Sequence, residues 1–245
     1  MVPVLEVPAD ERGLFLERPN RFLARVKLSS GEIAEVHVHD PGRLPQILAL
    51  GNEVLLRRAL NLRRRTKWSL LAGKVGSHWV FTNSGYHRRL AEKILRDPVL
   101  SPFGPPKALT PEPVTNNGRL DFLLETETGK RIYIEVKGCT LAQGEVALFP
   151  DAPTTRGTKH LRELLFLRQQ GFQAAVWFLI FRPETTRFEP ARAIDPQFAK
   201  AFDQALEGGV ELVTSKFFYD GHTLFLVKDS GLNIVRLPTW RTASS

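Results

Sequence analysis

The run AAVWFLIF, residues 174–181, has no polar side chain on either face of an extended chain. Successive side chains of a strand point to opposite faces, so a strand apolar on both must be covered on both. This places 174–181 at the centre of a sheet with a packed layer on each side. The neighbouring sequence supplies helices for those layers. Residues 154–171 predict a helix, with Leu161, Leu164, Leu165 and Arg168 on one stripe and Gly171 closing it. Asp195 caps a second helix that starts at Pro196 and ends at Gly208, and 210–218 read as a further strand.

Upstream, residues 119–125 and 131–138 form a predicted hairpin with Gly129 at its turn, and 145–149 a third strand. Leu90, Ala91, Ile94 and Leu95 recur at helical spacing, with Asn83 or Ser84 as cap and Pro98 near the end. A proline-rich extended connection follows. The order is α-β-β-β-α-β-α-β, a mixed sheet with helices against it. The first eighty residues differ. Segments 22–28, 33–39, 53–59, 68–75 and 78–82 are short strands separated by Gly and Asp-Pro-Gly turns, which predicts an OB-like β-barrel. The expected division is 1–82 for the barrel and 83–245 for an α/β domain, an α+β chain overall.

Charge narrows the choice of partner. The 245 residues carry a net +8, yet residues 57–96 alone hold eleven Lys/Arg against one acid, Glu92. A local excess of that size attracts polyanions, and nucleic acid is the expected partner, held with little sequence specificity. Arg63, Arg64, Arg65, Lys67 and Arg88 in this stretch, with Arg43 before it, are candidate nucleic-acid contacts. Trp68, Trp79, Phe81 and Tyr86 interleave with the charges and read first as core residues. No apolar run is long enough to span a bilayer, and the acid-containing N-terminus does not read as a signal peptide. A single cysteine, Cys139, excludes an intrachain disulfide and reads as a small packed residue. A cytoplasmic protein is expected.

Chemistry centres on the hairpin. Asp121 lies in the first strand, between Leu120 and Phe122, and Glu135 and Lys137 share a face of the second. Converging carboxylates make an oxygen site for Mg²⁺ or Mn²⁺, and a neighbouring lysine can orient water or stabilise a phosphorane-like transition state. Asp-(x)n-Glu-x-Lys is the arrangement of PD-(D/E)XK nucleases, and a salt-bridged wet strand face is the competing reading. On the following helix Arg156, His160 and Glu163 line one stripe, flanked by Lys159. Facing the hairpin they would join the site; facing solvent they would be an ordinary polar surface. Asp151, just before this helix, is placed to approach the hairpin. His37 and His39 alternate on one strand, with no third metal ligand in view, and are read as structural.

The segments RPNRFLARV, HVHDPGRL, RLDF, IEVKGCTLA and above all LFPDAPTTRGTKHLREL resemble the sugar fermentation stimulation protein A (SfsA) family across essentially the whole chain. That resemblance implies an N-terminal OB-like barrel, a PD-(D/E)XK nuclease-like domain and DNA binding, perceived in the family as regulatory of sugar metabolism. It implies catalytic roles for Asp121, Glu135 and Lys137, joined by His160 and Glu163, with Asp121 and Glu135 as metal ligands. Glu112 stands where the family has an acid, which makes it a further candidate ligand. Arg156 and Lys159 join the candidate DNA contacts. Asp40-Pro41-Gly42 replaces the family's Asn-Thr-Gly turn, while Gly42 and Arg43 match.

Overall fold

The computed structural model describes residues 1–61, 63–115 and 118–228. The N-terminal part contains β1 (Val2–Glu6), β2 (Glu11–Asn20), β3 (Leu23–Leu28), β4 (Ile33–His37), β5 (Glu53–Arg58), β6 (Trp68–Val75) and β7 (His78–Phe81). Five of these run β4-β3-β2-β5-β6, and the parallel pairing of β4 with β6 closes them into an OB barrel. Val26, Val36, Val54, Leu56 and Leu71 fill it.

The barrel set differs from expectation by one strand. Residues 11–20 form the first barrel strand, and 78–81 leave the barrel. The alternation in β2 is broken by bulges between Phe15 and Glu17 and between Glu17 and Asn20, which bend it around the barrel. Charges and Pro19 therefore fall where a regular strand would show apolar residues. Gly13 lets β2 lie against β3, since a Cβ there would meet the Lys27 carbonyl oxygen at 2.7 Å. β7 instead pairs with β6 on one side and contributes Trp79 opposite Tyr219 on the other.

A 3-10 turn over Ser84–Tyr86, capped by Asn83, leads into α1 (His87–Leu95). Next come β8 (Pro106–Pro111), β9 (Val114–Thr115), β10 (Gly118–Arg119), β11 (Phe122–Thr126), β12 (Arg131–Cys139), β13 (Leu141–Gln143) and β14 (Val146–Phe149). The chain continues through α2 (Thr155–Gln169), β15 (Gln173–Ile180), β16 (Arg187–Pro190), α3 (Pro196–Glu207), β17 (Glu211–Tyr219) and β18 (Thr223–Leu226). The main sheet runs β17-β15-β12-β11-β8, with parallel pairs at its centre and the predicted hairpin antiparallel beside them.

As the all-apolar run required, β15 is buried from Ala174 to Ile180 between two layers. Ala175, Trp177 and Leu179 face α1 through Leu90, Ala91 and Ile94, in a core continuous with the barrel. Val176, Phe178 and Ile180 face α2 and α3 through Leu161, Leu164, Phe198 and Phe202. Several further strands went unread, β8 and β1 among them. β8 is an edge strand rich in prolines, tolerable there because an edge leaves N–H groups unpaired. β1 pairs with β18, so the chain's first strand joins its last. Residues 146–149 are a strand, but in a separate three-stranded sheet β13-β14-β16, because the turn at Gly144 (φ +56°) folds them back onto β13.

The barrel is fastened to the second layer through side chains. Asp151 accepts the Leu44 N–H at 2.8 Å, in the turn that follows Asp40-Pro41-Gly42. Arg18 donates to the carbonyls of Asp40 (3.0 Å), Gly42 (2.5 Å) and Arg43 (2.9 Å). Asp151 therefore braces the barrel turn, beside the C-terminal end of β12. Arg182 Nη1 adds a second tie, donating to Gln46 Oε1 at 2.5 Å and the Thr140 carbonyl at 3.1 Å.

Candidate functional site

β12 presents its residues alternately. Ile132, Ile134 and Val136 face α1, and Tyr133, Glu135, Lys137 and Cys139 face α2. The second face is not wet. Glu135 is 3% exposed, because α2 crosses above the central strand. Phe122 pairs with Ile134, so Asp121 arrives opposite Glu135 and its Oδ2 accepts the Val136 N–H at 2.7 Å.

The Glu135 carboxylate gathers the cluster. Lys137 Nζ donates to its Oε1 at 2.5 Å, and His160 Nδ1 on α2 lies against the same oxygen. Lys137 Nζ is also 3.2 Å from His160 Nδ1. One ring nitrogen cannot both donate to Glu135 and accept from Lys137, so these contacts are alternatives set by the His160 tautomer. Glu135 Oε2 is buried with no hydrogen-bond partner.

The two carboxyls are driven apart in acidity. Burial, then the Glu135 charge, raises Asp121 to about 6. Burial also pushes Glu135 up, but Lys137 and His160 outweigh it and hold Glu135 below the usual range. The site thus keeps one carboxyl ionised and another on the edge of protonation, a division that suits acid–base work.

Beside it, Arg119, Arg156, Lys159, His160 and Glu163 line a cleft of about 280 Å³ with Thr115, Gly118 and Leu120. Gly157, Thr158, Leu161, Glu163 and Leu164 are buried, so α2 directs its apolar stripe inward and Arg156 and Lys159 outward. Arg119 was not anticipated; its place in RLDF, two residues before Asp121, was the available signal.

The other predicted residues lie elsewhere. The Glu112 carboxylate is paired with Arg88 at 3.0 Å, although its backbone N–H bonds the Asp121 carbonyl. Arg64 is tied to Ser69 Oγ, Thr66 Oγ1 and the Trp68 carbonyl, Arg65 pairs with Glu35 at 3.5 Å, and Arg43, Arg63 and Lys67 are exposed on the barrel. His37 and His39 contact each other edge to face. Cys139 is fully buried, its thiol pushed up to about 12 by burial, as a packed residue rather than a nucleophile. Among the described residues no group of three or more His, Cys, Asp or Glu is drawn together to hold a metal.

Comparison with known proteins finds matches over most of the chain. The model of the SfsA N-terminal OB domain matches residues 16–82, and that of the Sugar fermentation stimulation protein RE domain matches 85–223. The chain belongs to the sugar fermentation stimulation protein family. A family homolog from Methanococcoides burtonii is 42% identical over 227 residues, covering 91% of this chain and 92% of that protein. One from Thermotoga neapolitana is 42% identical over 220 residues, covering 90% and 94%. A solved structure of Pyrococcus furiosus SfsA in complex with Ca²⁺ superposes with a TM-score of 0.83 at 26% identity, covering 92% of this chain and 96% of that one. No helix of the described residues is long and apolar enough to cross a membrane.

Proposed function

We propose that the chain is a DNA-binding protein that cuts phosphodiester bonds with a divalent cation at Asp121 and Glu135. The observation that carries this reading is the buried, unpartnered Oε2 of Glu135 beside a second carboxyl. Leaving a carboxylate oxygen without a donor is costly, and a hard cation such as Mg²⁺ or Mn²⁺ satisfies it. The family relative solved with Ca²⁺ supports an oxygen-ligated divalent ion here. When bound, such an ion supplies charge stabilisation at the phosphate and a more acidic water.

The chain's own residues supply the rest. Arg119, Arg156 and Lys159 line the cleft where a phosphodiester would lie. Lys137, held by Glu135 and next to His160, is placed to donate to the attacking water or the departing oxygen. His160 changes proton partner with its tautomer, which gives the site a relay. The lone buried cysteine fits a reducing, cytoplasmic setting.

One observation favours a binding-only role in regulating sugar-metabolism genes: Lys137 already pairs with Glu135, and His160 lies against the same oxygen. Incubation with labelled single- and double-stranded DNA separates the readings. Cleavage with Mg²⁺ or Mn²⁺, abolished by EDTA and reduced at least about 100-fold in Asp121→Ala and Lys137→Ala, is expected. Metal-independent cutting, equal cutting by the variants, or none on any substrate would overturn catalysis.

A further inference from the structure

A second cationic cleft lies on the barrel, away from the carboxylates. His39, Arg57, Arg58, Arg64, Asn83 and Tyr86 are its functional lining, around a space of about 260 Å³. It shares no lining residue with the cleft beside Glu135. We propose that this cleft is a nucleotide site in its own right, binding the phosphate of one nucleotide unit with its arginines and the base against Tyr86.

Charge is the first argument. Three arginines line the cleft and no acid does. Arg57 and Arg58 have no ion-pair partner among the described residues, and elsewhere on the same basic stretch Arg65, Lys74, Arg88 and Arg96 do. Arg64 is held by three neutral acceptors, at 2.9, 3.0 and 3.3 Å. Arg64 thus contributes a fixed, uncompensated charge with its Nη2 donors already used, and the planar forks of Arg57 and Arg58 are the ones that suit phosphate oxygens.

Shape is the second. The volume lies just below the ~300 Å³ where small-molecule sites begin, which admits a single nucleotide rather than a duplex. Tyr86 sets one wall, its ring fixed edge to face on Phe81 with centroids 5.8 Å apart. Leu60, 92% exposed at the mouth, adds apolar surface without cost to the core. A ring that cannot turn away, beside phosphate-binding cations, is a stacking platform for a base. Asn83 is already committed, donating to the Leu70 carbonyl and accepting the Gly85 N–H, so it shapes the wall and reads nothing. His39, shifted to about 4 chiefly by burial, is neutral at pH 7 and leaves the attraction to the arginines.

The phosphate could belong to a free nucleotide or to the 5′ end of a strand. Calorimetry on the full chain compares adenosine 5′-monophosphate with adenosine, and a 5′-phosphorylated trithymidylate with its 5′-hydroxyl form. At least one phosphorylated probe should bind about tenfold or more tighter than its control. Arg57→Gln/Arg58→Gln should erase that difference, and Asp121→Asn should keep it. Binding of the monophosphate identifies a free nucleotide; binding of the trinucleotide alone identifies a strand end. No preference for phosphate in either pair, or a preference untouched by the arginine variant, would overturn the proposal. Because Arg58 is exposed, Arg58→Gln alone provides the same reading should the double variant not fold.

Discussion

Glu135 shows how one residue is held against its own solvation. A carboxylate nine-tenths and more buried is expensive, and it stays ionised here because Lys137 and His160 converge on one of its oxygens. On the opposite side of the same strand sits another titratable group, half-buried overall but with its Nε2 enclosed. The His87 ring stacks on Phe181 with centroids 5.1 Å apart and packs where Gly138 has no Cβ. Burial lowers it to about 4 from an ordinary 6.5. The unfolded chain therefore binds the proton first, so the stability His87 contributes is present above pH 6.5 and is lost as pH falls toward 4. At about 1.4 kcal/mol per unit, the loss is on the order of 3 kcal/mol. Denaturant titrations of wild type and His87→Phe at pH 7 and pH 4.5 should show the wild type losing more stability. Parallel losses would contradict this account of His87.

At the scale of elements, capping residues connect what the sheet separates. Asp195 accepts the Phe198 N–H at 2.9 Å, capping α3, and the Thr154 N–H at 2.7 Å. Thr154 in turn caps α2 through Gly157. Asp195→Ala thus removes one cap and loosens another. A cost of about 1–2 kcal/mol is expected, read as a lower urea midpoint with an unchanged slope. A loss confined to a few tenths would mean that the tie to Thr154 contributes nothing.

These helices, and the central strand between them, were legible because caps and periodicity agree with the tertiary packing. Asp195-Pro196, Gly171 and the unbroken apolar run each act locally and strongly. The strands missed are those whose pattern is set by distant partners. Bulges in β2 break its alternation, and β8 and β1 are stabilised by β11 and β18 rather than by anything near them in sequence. The site divides the same way. Asp121, Glu135 and Lys137 lie within one hairpin, whose register follows from its turn. His160 reaches them only because α2 crosses β12, and the seat of Asp151 at Leu44 depends on how the barrel docks.

Across the whole molecule, positive charge is spread over two clefts of different character. One carries Glu163 among its cations and reaches the Glu135 cluster through His160; the other is lined by cations without an acid and has an aromatic wall. This division of labour rests on the claim that Asp121 and Glu135 hold a cation between them. Titration of Mn²⁺ into the full chain, followed by the loss of its free paramagnetic resonance signal, tests that claim most directly. Wild type should take up one ion, and Glu135→Gln, which keeps the shape of the side chain and removes its charge, should lose that uptake. Undiminished binding by Glu135→Gln, or none by the wild type, would contradict it.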